Sequence, residues 1–168
     1  KNTADLNNVS LLASYAAQQQ FKSLNRECQQ LKKLIIKKID SIRFNYGLLT
    51  ASSSYYLLLE QEIQKDYSLG YVEEIGYRAS TAVPFYFYDL NNDLQTSLKI
   101  HPVVADELGL RKISSQQAFK KLIELYENLP TSSALHAVSF SNAILDDERL
   151  KSSWRYQFIN YIQYHARQ

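Results

Sequence analysis

Before Gly47 the chain contains neither glycine nor proline, and within that stretch Ala13, Ala17, Phe21, Leu24, Cys28, Leu31, Ile35, Ile39, Ile42 and Tyr46 recur at spacings of three or four. Such spacing lines apolar side chains along one stripe of an α-helix. At about 1.5 Å per residue the stripe predicts a long N-terminal helix of roughly 50 Å, the spine of a bundle or coiled coil. Consecutive four-residue steps break a strict heptad and favour a straight bundle helix, whose stripe also offers a seam for a homodimer.

Downstream, Tyr56, Leu59, Ile63 and Tyr67 keep helical spacing up to Ser68, Leu69 and Gly70, which predicts an antiparallel partner joined near Gly47. Residues 71–83 read as a weaker third helix stopped before Pro84, because the residue preceding proline disfavours the α region. Phe85, Tyr86, Phe87 and Tyr88 run into the turn-forming Asp89, Leu90, Asn91, Asn92 and Asp93, either as a strand or as an irregular connection. Residues 94–110 read as a structured connection. Ser114 with Gln117 forms a capping box that opens a helix carrying Phe119, Leu122, Tyr126 and Leu129. Two more helices follow, one with Ala134, Val138, Ser141 and Leu145, and a last one, capped by Asp146 or Asp147, with Leu150, Trp154, Phe158, Tyr161 and His165. The expectation is an all-α fold: an antiparallel helical bundle of five to six helices, one domain over residues 1–168, with one irregular aromatic-rich connection.

A chain of 168 residues with 45% hydrophobic and 21% charged content lies in the globular regime. Its longest apolar run, Ala82 to Tyr88, is far too short to span a bilayer. A net charge of +2 demands no polyanionic partner. The single cysteine excludes an intramolecular disulfide and an all-Cys metal site. The chain begins at Lys1 and contains no methionine, which reads as a segment of a longer, membrane-anchored protein, with an extracytoplasmic, periplasmic location favoured over a cytoplasmic one.

No catalytic constellation stands out. His101, His136 and His165 are far apart in sequence and neither HExxH nor CxxC occurs, so no metal or other cofactor is expected. Cys28 sits on the apolar stripe as a structural thiol. Four scattered glycines cannot form a phosphate loop. Glu73 and Glu74, like Asp146 and Asp147, are adjacent and point apart on a helix. Two features remain. Lys22, Arg26, Lys32, Lys33, Lys37, Lys38 and Arg43 give the first helix a basic face, and Tyr71, Tyr77, Arg78, Phe85, Tyr86, Phe87 and Tyr88 form an aromatic cluster suited to a ligand or partner. The sequence therefore reads as a non-enzymatic ligand-sensing or protein-interaction module of a signalling protein, recognising a small molecule or a protein through the aromatic cluster. The alternative is an intracellular adaptor or nucleic-acid-binding module using the basic face, with nucleic acid the weaker expectation.

Overall fold

Leu11 and Ala13 are buried while Leu12 between them is 61% exposed, an alternation that belongs to a strand and not to a helix. In the computed structural model, which describes residues 9–35, 38–47, 49–145 and 153–167, this strand is β1 (Leu11–Ala13). Helix α1 (Phe21–Ile35) and strand β2 (Ser41–Phe44) follow, then α2 (Ala51–Glu60) and β3 (Lys65–Asp66). Strands β4 (Phe85–Asp89) and β5 (Leu94–Ile100) form a hairpin, and the sheet order is β1-β2-β3-β5-β4. All neighbours are parallel except β4 and β5. Parallel neighbours need crossovers, and two right-handed crossovers stepping the same way place α1 and α2 on one face of the sheet. There Leu24, Cys28 and Leu58 pack with Ile42, Phe44, Leu98 and Ile100.

The chain divides into two compact units, the first made of Lys1–Leu69 and Val83–Pro102, the second of Gly70–Ala82 and Val103–Gln168. In the second unit β6 (Val103–Asp106) pairs in parallel with β7 (Ala137–Ser139), and α3 (Glu107–Leu110) and α4 (Ser115–Glu127) lie between them in sequence. Helix α5 (Ser153–His165) runs beside α4 in the same direction: Ser115 and Ser153 hydroxyls meet at their beginnings, Tyr164 and Glu127 near their ends. Val104, Leu110, Phe119, Leu122, Ile144 and Tyr161 form this unit's core. Ser114 and Gln117 make the expected capping box. Glu107 is held by Arg111 and by the backbone N–H of Ser141, tying α3 to the segment after β7.

The all-α, antiparallel bundle and its coiled-coil variant are overturned. Among the described residues helix accounts for 44% and strand for 19%, in one five-stranded mixed sheet and one two-stranded sheet. The long N-terminal helix is only 15 residues, α1. The stripe that predicted it is real as burial but not as one element, because Ala13 lies in β1, Ala17 in a short 3-10 turn, Leu24 and Cys28 in α1, and Ile42 in β2, all facing one core. Tyr46 departs further, adopting a left-handed backbone at φ 59° and standing exposed. The second helix ends at Glu60, so Ile63 and Tyr67 fall outside it. Residues 71–83 form turns, and Val138 is in β7 instead of a helix. The proposed caps Asp146 and Asp147, together with Leu150, lie outside the described residues. Among the described residues no helix is long and apolar enough to cross a membrane.

Burial on β2 and α1 can be checked by truncation. Truncating Ile42, fully buried in the sheet core, should lower stability by about 2–5 kcal/mol in chemical denaturation. Leu34→Ala, at a residue 78% exposed on α1, should stay within about 0.5 kcal/mol of wild type.

Candidate functional site

The sheet of the first unit has two chemically distinct faces. Side chains alternate along each strand, so Ile42, Phe44, Asp66, Ser68, Leu98 and Ile100 point to the core while Arg43, Lys65, Tyr67, Lys99 and His101 point the other way. Register brings the second set together. Lys65 pairs across to Lys99, and Lys99 to Tyr86. The ladder continues past the strand ends, with Tyr67 N–H donating to the Ile42 carbonyl and His101 N–H to the Asp66 carbonyl, both at 2.8 Å. Tyr67 and His101 are thereby side by side and stacked, their ring centroids 4.6 Å apart. Arg43 Nη1 donates to the Tyr67 carbonyl at 2.6 Å, which holds the guanidinium at the carboxyl edge of the sheet.

The charge on this face is cationic. Lys65 reaches Asp40 at 3.1 Å, and Lys99 Nζ lies 5.6 Å from the centre of the Tyr86 ring. Burial, followed by the charges of Lys99 and Lys65, holds the His101 imidazole below its ordinary pKa and so neutral at physiological pH. Its Nε2 is shielded from solvent and has no hydrogen-bond partner among the described residues. A neutral imidazole with an orphaned nitrogen, flanked by lysines, is a polar position that a ligand can complete.

On the core face directly behind, Asp66 is fully buried. Oδ1 accepts from the Ser68 hydroxyl at 2.5 Å and the Ser68 N–H at 3.1 Å, while Oδ2 has no partner. Burial pushes its carboxyl up to about 6, against the pull of the Ser68 hydrogen bonds and the Arg43 charge. Ser68 in turn accepts from the Phe44 N–H at 2.8 Å, linking β2 to the end of β3. Asp66, Ser68 and His101 are neighbours in the sheet but not a nucleophilic relay, because His101 shares the opposite face with Tyr67. A small polar hollow of about 160 Å³, lined by Tyr15, Gln18, Gln19, Leu49, Thr50 and Ser54, opens past the carboxyl ends of β1 and β2, beside the first turn of α2. Parallel α/β sheets hold ligands at that edge.

The residues singled out in the sequence are dispersed. Tyr71, Tyr77 and Arg78 belong to the second unit, where the Tyr77 hydroxyl donates to the Leu135 carbonyl at 2.9 Å. Phe85, Tyr86, Phe87 and Tyr88 form β4 of the first unit. Phe87 packs on Tyr55 and Tyr56, and the Tyr88 hydroxyl donates to Asp93 at 2.7 Å. Of the seven, Tyr86 joins the cationic face opposite Lys99, and Tyr88, opposite Gln95, is on the same side of the sheet. Of the basic set, Lys22, Arg26, Lys32 and Lys33 are exposed on α1, Lys38 is paired with Glu62 at 2.6 Å, and Lys37 lies outside the described residues. Arg43 is on β2, away from that helix. Lys65, Asp66, Tyr67, Ser68, Lys99 and His101 were not singled out. Their signal was the alternation of charged and apolar residues around Asp66 and Ile100, in runs too short to stand out.

Each unit is thus an α/β assembly with a parallel β-α-β element. No known family model matches the chain, and no curated protein matches its sequence.

The buried carboxyl makes a pH-dependent prediction. Because its folded pKa, about 6, is above the ordinary 3.8, Asp66 costs the fold nothing below 3.8 and its penalty grows until the pH has passed 6. Asp66→Asn removes up to about 3 kcal/mol of penalty and leaves an amide donor without an acceptor, so a net gain of about 1–2 kcal/mol is expected at pH 7.5. Urea denaturation should show that gain falling as pH falls and turning into a loss of about 1 kcal/mol by pH 4, where the penalty is gone and only the unpaired amide is left.

Proposed function

We infer that the chain is a ligand-sensing module whose first unit binds a small organic anion, a carboxylate or a phosphate, on the face carrying Arg43, Lys99, Tyr67 and His101. The observation that carries this reading is the orphaned, shielded Nε2 of a neutral histidine beside two lysines at the carboxyl edge of a parallel sheet. An anion there gains Coulomb attraction from Arg43 and Lys99, presents its own hydroxyl or acid proton to Nε2 or accepts from it, and meets an aromatic surface already formed by the stacked Tyr67 and His101. Ser68 and His101 are on opposite faces, so this pair does not couple a nucleophile to a base, and the reading is one of binding.

The expected result is a rise in melting temperature with one or more members of a panel of small carboxylates and phosphates, since a ligand that binds only the folded state stabilises it. His101→Phe retains the stack on Tyr67 but removes Nε2. It should weaken that ligand about tenfold, as should Lys99→Ala, while both variants stay folded. Lys22→Ala on α1 should bind as wild type. Tight binding of single-stranded DNA or RNA that depends on Lys22, Arg26, Lys32 and Lys33 and disappears at high salt would favour the adaptor reading instead.

A further inference from the structure

Along the second unit's paired helices, a hollow of about 570 Å³ lies between α4 and α5, floored by Phe119, Ile123 and Tyr161. Past Glu127 a second hollow of about 590 Å³ opens towards Leu129, Thr131 and Ala134. Glu127 and Tyr164 line both. Both volumes fall within the range of small-molecule sites. At the junction the Tyr164 hydroxyl donates to Glu127 Oε1 at 2.6 Å, and the rings of Tyr126 and Tyr164 stand nearly perpendicular, 87° apart with centroids separated by 6.4 Å. The two ring faces make an aromatic corner with a carboxylate at its rim.

Acidic and basic side chains both border this corner, Glu124, Glu127 and Lys120 along the first hollow and Arg167 in a neighbouring one with Tyr164, but they are not paired alike. Lys120 is within 3.7 Å of Glu124, whereas among the described residues Glu127 has a phenol opposite it and no ion pair. The groups packed behind the corner add no charge. Burial pushes the Tyr161 phenol far up, so it stays protonated. His136 is pushed down to about 4 by burial and then by the neighbouring His165, and burial lowers His165 as well, so both imidazoles are neutral at pH 7. His165 lies against Tyr126, ring centroids 4.4 Å apart, and as a neutral ring it does not oppose a cation there. A carboxylate, two tyrosine rings and an apolar trough leading away form the surroundings in which an organic ammonium gains both Coulomb and cation–π energy.

The geometry points to an ammonium-recognition site in the second unit, for a small amine or quaternary ammonium with an apolar body. The cationic head sits at Glu127 between Tyr126 and Tyr164, and the body lies along Phe119 and Ile123. The site is independent of the anion face of the first unit and opposite to it in sign.

The test uses the whole chain and choline as probe, with 3,3-dimethylbutan-1-ol as its uncharged isostere, at matched ionic strength. Tyrosine ring signals followed by NMR should shift saturably with choline, and the isostere should bind about tenfold more weakly. This comparison is made on wild type and needs no variant. Glu127→Gln preserves the side-chain shape and its acceptor for Tyr164. It should weaken choline about tenfold and leave the isostere unchanged, while Lys22→Ala on α1 in the other unit should have no effect on either. The proposal is overturned if choline gives no saturable shift, if the isostere binds as tightly as choline, or if a folded Glu127→Gln protein binds choline like wild type.

Discussion

The middle strand of the larger sheet is two residues long, and the first unit depends on its register. Gln64 and Lys65 N–H groups both donate to the Asp40 carbonyl, Tyr67 N–H to that of Ile42, Lys99 N–H to that of Gln64, and His101 N–H to that of Asp66. Backbone groups from Asp40 to His101 are thereby satisfied on both sides of β3, and the side chains have no remaining freedom of face. A slip of one residue would carry Lys65 and Tyr67 into the core and turn Asp66 and Ser68 outwards. That exchange would bury a lysine among Ile42, Leu58 and Ile100, at a cost no local hydrogen bond offsets. The hydrophobic pattern of the flanking strands β2 and β5 enforces the register that so short a strand cannot set alone.

The same register sets cations and a carboxylate back to back. Arg43 and Asp66 are on opposite faces of adjacent strands, yet the guanidinium still favours the ionised acid across the backbone. Desolvation is the larger effect and wins, because Asp66 is surrounded by apolar core and only one of its oxygens is hydrogen-bonded. A carboxyl half-way between its ordinary range and neutrality, under a row of basic side chains, is an expensive arrangement for stability alone. Such groups concentrate where binding or chemistry requires them.

How much of this the sequence revealed depends on element length. Helices α4 and α5 were legible because their runs of Phe119 with Leu122, and of Trp154, Phe158 and Tyr161, span several turns, and because Ser114 and Gln117 announce a cap. The β4–β5 hairpin was half legible from its aromatic run and the turn-forming residues 89–93, where Asp89 accepts from the N–H groups of Asn91 and Asn92. Strands β1, β2 and β3, of two to four residues, carry too few alternations to outweigh a helical spacing, and core residues taken in turn from strand, turn and helix imitate one. The candidate face was hidden for the same reason. Tyr67 read as the end of a helical stripe and His101 as part of a structured connection, and only pairing of β3 with β5 makes them neighbours. Arg43 and Tyr86 were each singled out, but with companions that the fold places elsewhere.

Burial acts on Asp66 of the first unit and His136 of the second in opposite directions. It raises Asp66 to about 6 and lowers His136 to about 4, in each case favouring the uncharged form. Between those values both groups are neutral in the folded protein, whereas in the unfolded chain the aspartate is largely ionised and the histidine largely protonated. Folding in this window takes up a proton at Asp66 and releases one at His136, so the two linkages cancel. Above it Asp66 ionises inside the first core, and the stability held by its neutral form is lost as pH rises through 6. Below it the second core must accept a charge at His136, and the stability present above the ordinary histidine range is lost as pH falls through 4. Asp66 and His136 are therefore least charged together at mildly acidic pH, and the chain reaches neutral pH with the carboxyl of Asp66 ionised beneath the basic face.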